Sequence, residues 1–231
     1  MSTGGAIAVI PARGGSRRVP RKNIREMHGR PLLAYSVEAA LRSGLFARVV
    51  VSTDDAEIAA VARALGADVP FLRAPALADD MTPVSRVTID VVDRLEVVGE
   101  AYPEVCQLMP NCPLRTADDV KASHRQFTYR PAEAQISVAR YGWQSPWWAM
   151  RRAPDGSLDP LFPDAMRQRS QDLPELVCPT GAVWWARTDA LRRAGTFHLA
   201  GRTGWEIDWT HAIDIDTEED WRLADALMGR S

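Results

Sequence analysis

Several features are missing from this sequence of 231 residues, and each absence excludes a class of protein. The three cysteines form no Cys-x-x-Cys pair, which argues against a zinc site or a disulfide framework and indicates a reducing, cytoplasmic location. No apolar run approaches the roughly 20 residues that a membrane-spanning helix needs, so no membrane partner is expected. The net charge of −2 argues against a general nucleic-acid binder.

Lysine and tryptophan are scarce or unevenly placed. Lys22 and Lys121 are the two lysines, so nearly all of the 28 basic residues are arginines. All eight tryptophans lie after residue 142. This uneven distribution of tryptophan indicates that the two parts of the chain contact different partners.

Strand and helix patterns alternate through the first 140 residues. Short β-branched or apolar runs predict strands at 6–10, 48–52, 69–72, 105–109, 136–139, 181–186 and 212–215. Amphipathic helices follow most of them, with Thr53 or Asp54 as the expected cap of the second helix. This order predicts an α/β fold with a mainly parallel sheet covered by helices on both faces.

The alternation stops over residues 140–179, which contain six of the sixteen prolines and no helical period. We interpret this segment as an excursion from the sheet made of irregular strands or loops. The last predicted strand and helix must return to the sheet, so residues 1–231 are expected to form a single domain.

The loop after the first predicted strand is strongly basic. Residues 11–30 contain seven basic residues and one acid. Gly14 and Gly15 let the backbone approach a ligand and form an anion nest, Ser16 adds a hydroxyl, and Lys22 adds a point charge. Because open α/β sheets bind ligands at the carboxyl ends of their strands, we predict a polyphosphate site here. The alternative is a solvated basic turn.

Neither common nucleotide-binding motif is present. The G-x-G-x-x-G pattern fails at its third glycine, and G-x-x-x-x-G-K-[ST] is absent, which disfavours a dinucleotide dehydrogenase or a P-loop NTPase. RNA binding is disfavoured too, because no aromatic residues are interleaved with the basic ones.

An acidic segment lies near the end of the chain. Between Glu206 and Asp220 there are seven acids and no lysine or arginine. Asp214 and Asp216 are two apart in an apolar strand pattern, so both side chains are expected on one face. Two such carboxylates repel each other unless a cation lies between them, and Mg²⁺ suits this pair. The alternative is two surface acids at a strand end.

Five segments, in order, resemble the CMP-sialic acid synthetase (N-acylneuraminate cytidylyltransferase) family, which includes pseudaminic acid cytidylyltransferases. They are the basic loop, Val-Ser-Thr-Asp-Asp at 51–55, Asn-Cys-Pro-Leu-Arg at 111–115, Arg-Ser-Gln-Asp-Leu-Pro at 169–174 followed by Gly-Ala-Val at 181–183, and the acidic segment 213–221. The resemblance covers almost the whole chain. It implies a Rossmann-like three-layer sandwich of the nucleotide-diphospho-sugar transferase type, with residues 140–179 as an inserted arm for dimerisation and the sugar site.

The resemblance also implies a reaction. In that family the anomeric hydroxyl of a 2-keto sugar acid attacks the α-phosphate of CTP, giving a CMP-sugar and pyrophosphate. The implied partners are CTP, a nonulosonic acid and a second copy of the chain, and the implied cofactor is Mg²⁺. The implied catalytic residues are Arg13, Lys22 and Asp216, with Asp214 and Asp216 as metal ligands.

The same resemblance assigns binding residues. Those implied for the nucleotide are Arg13, Gly14, Gly15, Ser16, Lys22, Asn23, Arg73 and Thr82. Those implied for the sugar are Met109, Arg169, Gln171 and Thr180. Lys22 would stabilise the leaving charge, Arg73 and Thr82 would lie near the cytosine, and Arg169 would pair with the sugar carboxylate. An ordinary surface ion pair is the alternative for Arg169.

The sequence departs from the family mainly on the sugar side. Met109 stands where the family commonly has glutamine, and Val177 and Thr180 stand where it commonly has tyrosine and asparagine. A polar-to-apolar change in a sugar pocket alters selectivity strongly, so sialic, pseudaminic, legionaminic and ketodeoxyoctonic acids remain candidate acceptors. A catalytically silent nucleotide-binding module is the alternative from another class. For Trp143, Trp147 and Trp148 a dimer contact, a small satellite core and sugar stacking all remain open.

Overall fold

The computed structural model describes residues 5–16, 18–79, 81–130, 132–142 and 144–229, without the side chain of Ser170. The prediction for Trp143 therefore lies outside the described residues. The strands are β1 (Ala6–Pro11), β2 (Glu26–Met27), β3 (Arg30–Pro31), β4 (Phe46–Ser52), β5 (Glu104–Gln107), β6 (Ala134–Arg140), β7 (Met150–Arg152), β8 (Leu158–Pro160), β9 (Val177–Arg187) and β10 (Thr203–Glu206). The α-helices are α1 (Leu32–Ser43), α2 (Ala56–Ala64), α3 (Val84–Val97), α4 (Ala117–Tyr129), α5 (Thr188–Ala194) and α6 (Glu218–Met228). Short 3₁₀ turns cover Lys22–Ile24, Pro75–Leu77, Pro146–Trp148, Ala165–Arg167 and Ser170–Asp172.

The central sheet has six strands in the order β10-β6-β9-β5-β1-β4. Strand β9 runs antiparallel to β5 and β6, and the remaining pairs are parallel. Successive side chains of β1 enter two different cores, with Ala8 and Ile10 in one and Ile7 and Val9 in the other. Because helices pack on both faces, the predicted three-layer α/β architecture is confirmed.

Local sequence signals account for most helix ends. Gly44 adopts a left-handed φ of 66° at the end of α1, and Thr116 forms a capping box with Asp119 at the start of α4. The cap of α2 is Asp55, not Thr53 or Asp54, since Asp55 Oδ1 accepts from the amides of Glu57 and Ile58 at 2.8 and 3.1 Å. Asp54 instead accepts from the Gly14 amide at 3.0 Å.

Two of the predicted strands are wrong. Residues 69–72 form no strand; the chain only touches β4 through one bridge between Val50 and Asp68. Residues 212–215 form no strand, since Ala212 lies in a turn, and β10 occupies the sheet edge beside β6 instead. Alternating apolar residues indicate which side chains are buried. A strand also needs a neighbouring strand whose backbone N–H and C=O groups are still unpaired. The alternation itself holds, because Ile213 and Ile215 are buried.

The segment between β6 and β9 forms an antiparallel hairpin, β7–β8, and irregular turns. Trp147 holds part of it together, with its indole N–H donating to the Pro174 carbonyl at 2.9 Å and its ring meeting Phe162 edge-on at 5.2 Å. Several large apolar side chains of the segment are nevertheless exposed. They include Trp148, Met150, Leu158, Leu161, Phe162 and Met166.

Candidate functional site

A cleft of about 480 Å³ opens at the carboxyl ends of β1 and β5. These two strands are neighbours and parallel, so the segments that follow them meet at one edge of the sheet. Eight of the predicted site residues line it: Arg13, Ser16, Lys22, Asn23, Arg73, Thr82, Met109 and Asp216. The fold therefore brings most of the predicted nucleotide residues and one carboxylate together.

The basic loop is fixed by hydrogen bonds to its own backbone and to neighbouring segments. The Ser16 amide donates to the Gly14 carbonyl at 3.0 Å, and Asn23 Nδ2 donates to the Arg13 carbonyl at 2.9 Å. Arg13 reaches across the cleft to the Asp79 carbonyl at 3.1 Å. Gly14 and Gly15 do not line the cleft itself but an adjoining open hollow.

The two glycines of this loop are not equivalent. A Cβ on Gly14 would lie 2.8 Å from Oδ2 of Asp55, the cap of α2, whereas a Cβ on Gly15 would meet nothing within 4 Å. Gly14→Ala should therefore lower the free energy of unfolding by about 1 kcal/mol through the damaged cap. Gly15→Ala, the matched control, should leave the melting temperature unchanged. Equal melting temperatures for the two variants would contradict the predicted contact.

Lys22 joins the basic loop to the acidic segment. Its Nζ donates to the Ile215 carbonyl at 2.5 Å and to Asp216 Oδ1 at 3.1 Å, and the side chain is only 13% exposed. Arg18 pairs with the other oxygen of Asp216 at 2.7 Å. The ammonium is thus held in the cleft beside a carboxylate, with little of its own side chain exposed to solvent.

Asp214 lies two residues before Asp216 and has a different environment. Burial and the nearby charge of Asp216 raise the pKa of Asp214 to about 6, while Lys22 and the Asn111 amide act in the opposite direction. Asn111 Nδ2 donates to Asp214 Oδ1 and its carbonyl accepts from the Ile215 amide at 2.9 Å. Asn111 and Arg18 were not predicted as site residues. The motif at 111–115 and the charge of the basic loop were the signals that pointed to them.

The donor set around Asp214 and Asp216 fits a hard divalent cation. Within the described ranges, no group of three or more His, Cys, Asp or Glu side chains is arranged to hold a metal ion. Mg²⁺, however, commonly uses one or two carboxylates and takes its other ligands from water and substrate phosphates. The Asn111 amide oxygen is also buried here without a hydrogen-bond partner. Asp214 and Asp216 are therefore the residues that could hold Mg²⁺.

Arg73 forms part of the opposite wall. It is buried, with Nε donating to Ser52 Oγ at 3.2 Å and Nη2 donating to the Ser52 carbonyl. Burial lowers the pKa of Arg73 to about 10, so the guanidinium stays charged at neutral pH. Thr82 lines the cleft nearby, with its amide bonded to Asp79 Oδ1 at 2.6 Å.

Of the four residues predicted for the sugar, only Met109 lines the cleft. Thr180 bonds to Ser137 Oγ at 2.7 Å. Arg169 is 74% exposed and pairs with Asp172 at 2.8 Å, which is the surface ion pair named above as the alternative to a sugar contact. Gln171 is exposed as well. The sugar-binding roles of these residues stay predictions.

The structure is an α/β sandwich with a basic loop after the first strand and with Asp216 of the acidic segment in contact with that loop. A solved structure of CMP:2-keto-3-deoxy-manno-octonic acid synthetase complexed with CTP shares this fold, with a TM-score of 0.72 at 18% identity over 98% of this chain and 99% of that one.

Sequence comparisons identify the family. The cytidylyltransferase family model matches residues 7–126. A pseudaminic acid cytidylyltransferase from Campylobacter jejuni is 31% identical over 225 residues, covering 96% of this chain and 95% of the relative. A CMP-N,N'-diacetyllegionaminic acid synthase from Legionella pneumophila is 31% identical over 231 residues, with coverage of 96% and 95%. The chain belongs to the cytidylyltransferase family, which confirms the resemblance stated above.

None of the helices in the described part of the chain has both the length and the apolar character to span a bilayer.

Proposed function

We propose that the protein activates a nonulosonic acid, converting CTP and the sugar acid into a CMP-sugar and pyrophosphate. The observation that carries this proposal is the contact of Lys22, from the phosphate loop, with Asp216, from the acidic segment. A triphosphate held by the loop would present its α-phosphate close to the carboxylates. The names of the relatives at 31% identity support a nonulosonic acid as the acceptor.

In the proposed reaction the anomeric oxygen forms a bond to the α-phosphorus as the bond from that phosphorus to the bridging oxygen breaks. The electron pair leaves with pyrophosphate, and the hydroxyl proton passes to Asp214 or Asp216. Arg13, Ser16 and Lys22 hold the triphosphate, and the Lys22 ammonium balances the charge that develops on the leaving group. Such chemistry depends mainly on positioning and charge neutralisation.

The remaining nucleotide residues orient the substrate. Asn23 fixes the loop backbone through the Arg13 carbonyl, and Arg73 and Thr82 are proposed to contact the cytosine. A catalytically silent nucleotide-binding module is not favoured, because Lys22 and Asp216 lie together in the cleft.

We propose Mg²⁺ as the cofactor, held by Asp214 and Asp216 together with the phosphates of CTP. When bound, the cation would neutralise charge on the phosphates. Burial and, to a smaller extent, the charge of Asp216 raise the pKa of Asp214, so a cation bound beside this carboxylate would stabilise its ionised form.

Met109 and the named relatives together narrow the choice of acceptor sugar acid. This apolar side chain, rather than the family's usual glutamine, forms the cleft wall next to the carboxylates. The relatives named for pseudaminic and legionaminic acids favour those acceptors over sialic acid, and ketodeoxyoctonic acid is the further alternative. We place the reaction in the cytoplasm, where CTP is available and unpaired cysteines stay reduced.

Pyrophosphate release from CTP, measured with Mg²⁺ across pseudaminic, legionaminic, sialic and ketodeoxyoctonic acids, tests the proposal. We expect release with at least one nonulosonic acid and none in the absence of an acceptor. No release with any acceptor would refute the activity. Equal rates with ATP would refute cytosine recognition, and full turnover without a divalent cation would refute the role of Mg²⁺.

We further propose a homodimer formed through the arm of residues 140–179. The exposed Met150, Leu158 and Phe162 form an apolar surface of the kind that protein interfaces cover. Leu158→Glu should convert a dimer into a monomer, as measured by sedimentation velocity. Val97→Glu, at an exposed apolar position outside the arm, is the control and should leave the dimer intact. A monomeric wild-type protein would contradict the proposal.

A further inference from the structure

Arg115 is a buried guanidinium whose hydrogen-bond partners are all neutral. It is 2% exposed and lies between β5 and α4. Its Nη1 donates to the carbonyls of Met109 and Ala182 at 3.1 and 2.7 Å, and its Nη2 donates to Ser36 Oγ at 2.5 Å. Burying a charge without a carboxylate partner is costly, and an apolar side chain would fill the same space with less penalty. The guanidinium is therefore better explained by what it holds than by packing alone.

The main group that it holds is the backbone of Met109. The Met109 carbonyl accepts from both Arg115 and Ser36 Oγ, each at 3.1 Å. On the other side, the Met109 amide donates to the Gly181 carbonyl at 3.3 Å. A Cβ on Gly181 would lie 2.9 Å from Met109 Cγ and 3.7 Å from Asp214 Oδ2. The Met109 side chain and the Asp214 carboxylate thus crowd the same point of the cleft.

The hydrogen bonds of Arg115 and Ser36 to the Met109 carbonyl, which we call the clamp, are linked to Asp214 through the next two residues of the backbone. Pro110 follows Met109 and restricts the chain, and Asn111 comes next. Asn111 donates to the Asp214 carboxylate and its carbonyl receives the Ile215 amide. A shift of the Met109 carbonyl would therefore move the group that orients Asp214.

We infer that Arg115 is a positioning residue, which holds the wall Met109–Asn111 against Asp214 from behind the cleft. The expected effect on turnover rests on the proposed function. The expected local loosening of the wall does not depend on the proposed function. Among the described residues, the hydrogen bonds of Arg115 go to Met109, Ala182 and Ser36 and not to the basic loop, so CTP binding should survive its loss while the acceptor side of the cleft loosens.

The kinetic test uses Arg115→Met, which keeps much of the length of the side chain and removes every donor. We expect kcat/KM for the acceptor to fall by about 100-fold, the scale of a misplacement of about 1 Å. The dissociation constant of CTP, titrated without acceptor, should stay within about threefold, which is less than 1 kcal/mol. The control is Arg48→Met, since Arg48 is partly buried on β4 and pairs with Asp68 and Glu100 away from the cleft. It should leave both constants unchanged.

A second readout does not require activity. Cys112 directly follows the wall Met109–Asn111, Cys106 lies in β5, and both thiols are fully buried. In Arg115→Met, maleimide labelling of Cys112 should be faster by about tenfold, as in a local opening, while labelling of Cys106 stays slow. Peptide mass mapping separates the two thiols. Equal acceleration of both would mean general unfolding and would overturn the inference.

The outcomes of the two readouts are distinguishable. Selective labelling of Cys112 in an enzyme whose wild type shows no turnover would refute the proposed function and support the clamp. Turnover and labelling identical to those of Arg48→Met would overturn the clamp and leave the proposed function intact. If Arg115→Met does not fold, Ser36→Ala removes one of the two donors to the Met109 carbonyl. It must then show the same selective labelling at a smaller amplitude, and its failure to do so overturns the inference.

Discussion

Lys22→Met is expected to lower kcat by about 10²–10³-fold, the usual effect of removing one fixed group that stabilises developing charge. The physical reason is that the Lys22 ammonium is already held in place by the Ile215 carbonyl and Asp216. No reorganisation is needed when charge appears on the departing pyrophosphate. The measurement is single-turnover CMP-sugar formation at saturating CTP, which separates the chemical step from nucleotide binding.

The chain offers a matched control for this prediction, because Lys121 is its other lysine. Lys121 lies on α4 and pairs with Asp118 at 3.1 Å on the exposed surface. Lys121→Met should retain full activity. Lys22→Arg should recover little, since a planar fork cannot occupy the position of a compact ammonium held at 13% exposure. Normal single-turnover rates in Lys22→Met would remove Lys22 from the proposed mechanism.

Asp214→Asn is expected to abolish Mg²⁺-dependent turnover and, in metal-free protein, to raise the melting temperature. The folded pKa of Asp214, about 6, lies above its ordinary value of 3.8, so the native state binds this proton more tightly than the unfolded chain. The ionised carboxylate therefore costs stability above about pH 6, and the cost disappears as the pH falls towards 4. Because the residue is open to solvent on one side, we expect a gain of about 1 kcal/mol at pH 7.5, or about 2–4 °C.

Asp216→Asn is the comparison variant, for which the expected change in melting temperature has the opposite sign. Asp216 pairs with both Lys22 and Arg18, so neutralising it leaves two cations without their carboxylate. This variant should also lose turnover, but its melting temperature should fall. Differential scanning calorimetry with a chelator present, at pH 5 and pH 7.5, tests both signs. A lower melting temperature for Asp214→Asn at pH 7.5 would contradict the proposed repulsion, and full Mg²⁺-dependent turnover in Asp216→Asn would remove that residue from the site.

Much of the lining of the cleft was predictable, because many of its residues belong to the contiguous basic loop. The loop 11–23 follows a buried strand, and its glycines and cations are adjacent in sequence, so local chemistry alone indicates a phosphate site. The pair Asp214 and Asp216 was predictable for a similar reason, since alternation with the buried Ile213 and Ile215 sets the direction of both side chains.

The sugar side was much less predictable. Arg169 and Asp172 are three residues apart and pair with each other, an arrangement that the motif did not reveal. Arg21 and Arg25 belong to the same basic loop as Lys22 but are engaged by Asp55 and Glu218, respectively. Counting cations along the loop therefore overstates the number that face the cleft.

By itself, the sequence determined the α/β class, the family and the position of the basic loop after the first strand, because each depends on residues close together along the chain. Only the tertiary structure decided which distant groups meet. Lys22 reaches Asp216 across 194 positions, and Arg115 contacts the Ala182 carbonyl across 67. It also decided that β10, and not residues 212–215, takes the sheet edge beside β6. The physical reason is that strand pairing and charge pairing are satisfied by whichever partner the packed sheet brings near, and spacing along the chain does not contain that information.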